Sequence, residues 1–128
     1  MNNKTLESLL FEANDQIKRH SYEEAVTKIQ NSNHVIIDVR EESEVAFSGL
    51  IKNAINIPRG VIEFKLKPDS PDNPIHIDSD TDILLYCAAG FRSALAAKAL
   101  EDSGFQNVYN IGGYGEWVSN GGDVTKDI

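Results

Sequence analysis

The sequence predicts an α/β fold, a three-layer α/β/α sandwich on a four- or five-stranded parallel sheet, preceded by an N-terminal amphipathic helix. Three observations lead there. Short apolar runs of strand length alternate with segments of helical period, the order that a parallel sheet with covering helices produces. The run Ile83 to Tyr86 is continuously apolar, as a strand buried on both faces requires. A short turn follows it at once, and then Ser93 to Asp102, rich in Ala and Leu and stopped by Gly104, reads as a helix. One core fits within 128 residues of which 41% are hydrophobic, and the crossovers should be right-handed.

Taken in order, Thr5 to about Lys18 places Leu6, Leu9, Leu10, Ala13 and Ile17 on one helical face. That face either packs on its own domain or meets a partner. Residues 1–20 are thus a helical extension and 21–128 the main domain. Arg19 and His20 supply a short first strand, and Ser21-Tyr-Glu-Glu24 has capping-box spacing for a helix carrying Ala25, Val26 and Ile29. Val35 to Ile37 is a buried strand whose carboxyl end delivers Asp38, Val39 and Arg40 to the edge where ligands of open α/β sheets bind. Glu41 to Phe47 forms a helical turn ended by Gly49, and Ala54 to Ile57 a third buried strand closed by Pro58. Arg59 faces the same edge by position, free for an anion or paired with a carboxylate. Val61 to Lys65 reads as a short helix. Pro68, Pro71 and Pro74 keep Lys67 to Ser79 a loop, either a plain excursion or a lid. Val108 to Ile111 is the last strand, Gly112-Gly113 a close turn, and Tyr114 to Trp117 the start of a closing helix. Asn120-Gly121-Gly122 ends that helix and leaves a polar tail.

Composition narrows the function. A net charge of −8 and a pI near 4.7 argue against nucleic acid and anionic membrane as partners, since both need a basic surface. One cysteine allows no internal disulfide, and neither a signal pattern nor an apolar run of membrane length is visible. A reducing, cytoplasmic setting is expected. His20, His34 and His76 are scattered, no metal-ligand spacing occurs, and no cofactor is implied.

That single cysteine, Cys87, lies where the buried strand turns into a helix. Backbone N–H groups converge at such a junction, and the helix dipole adds partial positive charge. Ala88 and Ala89 are too small to fill the turn, Gly90 tolerates a positive φ, and Arg92 carries a permanent charge. These surroundings favour a thiolate nucleophile, against the alternative of an inert buried thiol.

The run Cys87-Ala-Ala-Gly90-Phe-Arg92-Ser93 resembles the active-site loop of single-domain rhodanese-like sulfurtransferases, Cys-x-x-Gly-x-Arg followed by Ser or Thr. Ile37 to Arg40 with Glu41 and Glu44, the run from Gly49 to Pro58, and Ile111 to Trp117 resemble further blocks of the family. Together they span residues 35–122. The chain departs from the family pattern at Leu50, where a His is usual, and at Asn53, where a Gly is usual. Leu50 removes a titratable group, whereas Asn tolerates the left-handed backbone. The resemblance implies a thiosulfate sulfurtransferase in which Cys87 takes a sulfane sulfur as a persulfide and passes it to a thiol or to cyanide. Thiosulfate, a small persulfide or a protein then acts as donor, and a protein is also open as acceptor. Ala88, Ala89, Gly90, Phe91, Arg92 and Ser93 would bind the sulfur anion, with Ser93 either bonding the sulfur or capping the helix. In the family Asp38 and Arg40 lie around the loop as orienting charges; a purely structural pair is the other reading. With Arg92 the loop's only cation, a dianionic donor should bind weakly.

Two readings compete. A non-catalytic rhodanese-like module that binds partners, carries sulfur or senses it would share every motif. A cysteine phosphatase or arsenate reductase places five residues between Cys and Arg, whereas four lie between Cys87 and Arg92.

Overall fold

The computed structural model describes residues 4–126. The chain runs α1 (Leu6–Gln16), β1 (Lys18–Arg19), α2 (Tyr22–Asn31), β2 (His34–Asp38), α3 (Glu42–Ser48), β3 (Leu50–Ile51) and β4 (Ile55–Asn56). A 3-10 turn (Arg59–Val61) leads to α4 (Ile62–Lys65), followed by β5 (Asp82–Cys87), α5 (Phe91–Asp102), β6 (Val108–Gly113), α6 (Tyr114–Ser119) and β7 (Val124–Thr125). Five strands form a parallel sheet in the order β1-β6-β5-β2-β4.

Every residue of the central strand β5 is buried, and alternation divides them between two cores. Ile83, Leu85 and Cys87 join Ile17, Ile62, Ala96, Ala97 and Leu100 beneath α1, α4 and α5. Leu84 and Tyr86 join Ala25, Ile36 and Trp117 beneath α2 and α6. This is the three-layer arrangement, and it explains why Ile83 to Tyr86 carries no polar residue. Between β5 and β6 the register shifts: Leu85 lies opposite Asn110 but Tyr86 opposite Gly112. The one-residue bulge brings Gly113 level with Cys87.

Several boundaries differ from expectation. Helix α1 stops at Gln16 because Lys18 and Arg19, not Arg19 and His20, pair with Tyr109 and Asn110. It packs on α5 through buried Ala13 and Ile17 and through Gln16, whose amide reaches Glu101 and Asp102 at 2.8 and 2.9 Å. Leu6 and Leu9, however, stay in solvent, so two of the five residues of the expected apolar face are uncovered. Strand β4 shortens to Ile55–Asn56 and is half-buried rather than buried, since it lies at the sheet edge. The expected polar tail is not free either. Val124 and Thr125 pair antiparallel with Ile51 and Leu50, and residues 127–128 lie outside the described residues. Asn53 does adopt a positive φ of 70°.

The Pro-containing segment after Leu66 has neither helix nor strand up to Thr81. Ile75 and Ile77 pack beside Phe105, and Asn107 donates to the Ser79 carbonyl at 2.9 Å. These contacts fix the segment at the amino ends of the strands, opposite Cys87. It is no lid over that edge. No helix among the described residues is long and apolar enough to cross a membrane.

His20, just past β1, is 4% exposed, and neither ring nitrogen has a hydrogen-bond partner. Its ring stacks on Tyr109 with centroids 4.5 Å apart, and Glu24 Oε2 lies 3.9 Å from Nδ1. Burial holds its pKa below the usual 6.5, Lys28 and Lys18 lower it further, and Glu24 opposes them. The unfolded chain therefore binds a proton more readily than the folded one, so stability present above about pH 6.5 is lost as the pH falls below it. Urea unfolding at about pH 7.5 and about pH 5 should find wild type losing more stability on acidification than His20→Phe, which keeps the stack. The variant should also be about 1 kcal/mol more stable at the higher pH, because two unpartnered polar atoms are gone.

Candidate active site

Cys87 is the last residue of β5, and Ala88 to Gly90 carry the chain into α5. Gly90 has φ +94°, a conformation that favours glycine, and a side chain there would also press to 3.3 Å from the Gly112 backbone. Across the junction, a Cβ on Gly113 would meet the Ala88 carbonyl at 2.4 Å. Two strand ends thus approach too closely for side chains. The loop curls tightly over its own sulfur.

Cys87 is 1% exposed. Its Sγ receives the Gly90 N–H at 3.1 Å and the Ser93 N–H at 3.4 Å, and the Ser93 hydroxyl oxygen lies 3.4 Å away. Burial, the largest influence, pushes the thiol up. The Ser93 hydroxyl and the N–H groups of Ser93, Ala89 and Gly90 together outweigh it, and the net pKa lies below the ordinary value. Ser93 is not the helix cap, since Gly90 holds that place and α5 starts at Phe91, two residues before the expected start. Ala88, Ala89 and Phe91 are exposed at the lip of the loop, whereas Gly90 and Ser93 are buried.

Asn110 completes this arrangement, and nothing in the sequence reading singled it out. Its side chain is buried on β6; Nδ2 donates to the Gly90 carbonyl at 3.0 Å, and Oδ1 accepts from the Ser93 hydroxyl at 2.8 Å and the Gly112 N–H at 3.0 Å. Because the Gly90 carbonyl can only accept, the amide has one orientation. The available signal was an amide in the otherwise apolar run Val108 to Ile111, since a buried amide must find partners.

Arg92 is half-buried beside the loop, but its charge is not free. The guanidinium grips Glu44 of α3 with two hydrogen bonds of 2.6 and 2.9 Å. Those bonds hold the Glu44 carboxyl down at about 2 and raise the Arg92 pKa. Arg92, expected as a binder of the sulfur anion, thus meets the site already paired with a carboxylate. Glu44 lay in a family block, yet its pairing with Arg92 joins residues 48 apart in sequence and left no local signal.

Asp38 and Arg40 form the structural pair. Arg40 is 4% exposed, bonds the buried Asp38 carboxylate through Nε and through Nη2 at 2.7 Å, and donates to the Ser48 hydroxyl and the Gly49 carbonyl. Its guanidinium carbon sits 4.4 Å from the Tyr114 ring centre. No hydrogen bond joins this pair to the Cys87 loop among the described residues. Arg59 pairs with Glu63 at 3.1 Å on the surface. His34 bonds the Ser32 carbonyl and His76 bonds Asp78, so no histidine serves the sulfur. Among the described residues no group of three His, Cys, Asp or Glu side chains is placed to hold a metal.

Known proteins share both this sequence and this fold. A sequence profile of the rhodanese-like domain matches residues 21–120. A thiosulfate:glutathione sulfurtransferase of Saccharomyces cerevisiae is 33% identical over 115 residues, covering 84% of this chain and 82% of the yeast protein. YtwF of Bacillus subtilis, by name a candidate sulfurtransferase, is 35% identical over 82 residues, or 64% of this chain and 71% of its own. Among solved structures, a protein of unknown function from Rhodopseudomonas palustris, described as a possible tyrosine phosphatase, superposes with a TM-score of 0.87 at 35% identity. The superposition covers 98% of this chain and 97% of that one. The profile match begins at the Ser21 cap of α2, ends just past α6 and encloses the Cys87 loop: the chain belongs to the rhodanese-like family.

Proposed function

We propose that this protein is a sulfurtransferase that moves a sulfane sulfur through a Cys87 persulfide. The observation that carries the reading is the convergence of the Gly90 and Ser93 amides on the buried Cys87 sulfur, beside the Ser93 hydroxyl whose proton goes to Asn110 Oδ1. The cradle favours an anionic sulfur where burial alone would oppose one. With thiosulfate as donor, the Cys87 thiolate attacks the outer sulfur. The S–S bond of the donor breaks, sulfite leaves with the electron pair, and a Cys87 persulfide anion remains. An acceptor such as cyanide or a thiol then attacks the terminal sulfur and regenerates the thiolate. Charge is conserved in both steps. No general base is required once the thiolate exists, which accords with no histidine side chain hydrogen-bonding the sulfur among the described residues. The loop amides stabilise the persulfide as an oxyanion hole stabilises oxygen.

Ala88 and Ala89, exposed at the lip, leave room for the donor, and Phe91 and Arg92 border its approach. Asp38 and Arg40 act at one remove, by fixing the turn into α3 and hence Glu44. We read residues 21–128 as the catalytic domain, residues 1–20 as an extension packed on it, and a reducing cytoplasm as the setting for its lone thiol. Phosphoryl transfer suits the site poorly: Glu44 occupies the Arg92 fork that would otherwise hold a phosphate.

Incubation with thiosulfate followed by intact-mass analysis tests the reading. Wild type should gain one sulfur and then convert many equivalents of cyanide to thiocyanate, while Cys87→Ser gains none and is inactive. Sulfur loading without turnover would mark a carrier instead of an enzyme. Failure to load from either thiosulfate or inorganic polysulfide would remove the sulfurtransferase reading altogether.

Asn110→Ala leaves the Gly90 carbonyl and the Ser93 hydroxyl without their partner. It should lower stability by about 2 kcal/mol and slow sulfur loading by roughly tenfold, measured by urea unfolding and single-turnover mass analysis. Glu44→Gln should lower the KM for thiosulfate by roughly fivefold, about 1 kcal/mol, by releasing the Arg92 charge to the dianion. An unchanged KM in steady-state assays would mean that Arg92 does not reach the donor.

A further inference from the structure

We propose that the edge of the molecule around the Cys87 loop docks a protein that presents its persulfide on a cysteine flanked by apolar and basic residues. The proposal rests on the sulfurtransferase reading and names the class of donor for that site.

The first observation is a collar of exposed apolar side chains. Phe91 follows the loop and is 61% exposed; Phe47, one helical turn beyond the Glu44 that grips Arg92, is 89% exposed. Val61 and Phe64, the latter 74% exposed, lie on the segment that leaves the carboxyl end of the sheet at Arg59, whose N–H bonds the Val39 carbonyl, and packs on α5. Leu6 and Leu9 close the ring from α1. Gln16 bonds Glu101 and Asp102 near the end of α5, and Glu12 interacts with Lys98 one turn earlier. The two helices therefore run in the same direction, so the first turns of α1 flank the first turns of α5, where Phe91 stands. Six of the nine large hydrophobic side chains exposed among the described residues fall in this collar, and that clustering sets it apart from scattered surface apolars.

The second observation is charge. Arg92 and Arg59 are neutralised by Glu44 and Glu63. Glu41 and Glu42 are exposed and belong to no described ion pair, Lys65 is the one cation of α4 outside such a pair, and the whole chain carries −8. Both arginines named here are paired and not free for a small dianion, whereas a partner with lysines or arginines around its cysteine meets the unpaired Glu41 and Glu42. Aromatic residues at the centre with charge at the margin is also the usual make-up of protein contact surfaces. The third observation is depth. At 1% exposure the Cys87 side chain is recessed, so a protein donor reaches it only with a protruding segment, and the collar would hold the body from which that segment extends.

The transfer balances without an oxidant. The Cys87 thiolate attacks the outer sulfur of the partner's protonated persulfide, the partner's S–S bond breaks, and its thiolate leaves with the electron pair. Cys87 retains the sulfur and its proton.

Three donors test this. One is a synthetic peptide whose persulfidated cysteine lies between leucines and lysines, the second replaces each lysine by glutamate, and the third is inorganic polysulfide. Cys87 loading is followed by intact mass at low salt, in wild type and in the separate variants Phe47→Ser and Phe64→Ser, both too exposed to threaten folding. The lysine peptide should load wild type roughly tenfold faster than the glutamate peptide. Each variant should lose severalfold of the lysine-peptide rate while loading normally from polysulfide. Equal rates for the two peptides, or a lysine-peptide rate indifferent to both substitutions, would overturn the docking surface and leave the sulfurtransferase standing. Absence of loading from polysulfide as well would remove both.

Discussion

One buried amide ties together what makes Cys87 unusual. The Asn110 side chain can donate only to the Gly90 carbonyl, so its oxygen must face the Ser93 hydroxyl and the Gly112 N–H. That fixes the Gly90–Phe91 peptide, the one next to the peptide whose N–H aims at sulfur, and sets the register of the first turn of α5. A loop of two alanines and a glycine has little side-chain packing to hold its shape, and polar strapping from the neighbouring strand replaces it. Buried networks of this kind are stabilising only when every member is satisfied, and here each polar atom of the amide has a partner.

Two arginine–carboxylate pairs extend the support outward. Asp38 and Arg40 are buried together, with the guanidinium spread over Ser48, Gly49 and the Tyr114 ring. Removing one partner of such a pair is far costlier than never having had it, so the junction between β2 and α3 is rigid. Rigidity there positions Glu44, which in turn holds Arg92. The charge beside the sulfur is thereby set by the first turn of another helix. The arginines at the mouth of the site are neutralised, and selection among donors falls to apolar contact and to the acidic residues around it.

The central strand, the loop and the following helix were legible because their signals are local: a continuous apolar run, an Ala-Gly turn and an Ala-rich helix stopped by Gly104. Asn53 was legible for a similar reason, since its backbone conformation depends on its own side chain. Asn110 and the pairing of Glu44 with Arg92 were not legible, because each exists only after distant segments meet. The pairing of β3 with β7 was missed on different grounds. Strands of two residues are shorter than any period, and Val124-Thr125 follows a Gly-rich stretch that reads as an ending.

The bulge between β5 and β6 carries a consequence for how the site tolerates change. Asn110 must face the helix layer that holds the loop, while Gly113 must lie level with Cys87 so that Ala88 can pass over it. In an unbroken parallel register Gly112 would stand opposite Cys87 and Gly113 would fall beyond the strand's partner. The extra residue lets one strand meet both requirements. Side-chain substitutions at Ile111 are therefore matters of packing, whereas deleting a single residue between Asn110 and Gly113 would separate the strap from the floor of the site. Length, more than identity, is what this short stretch has to keep.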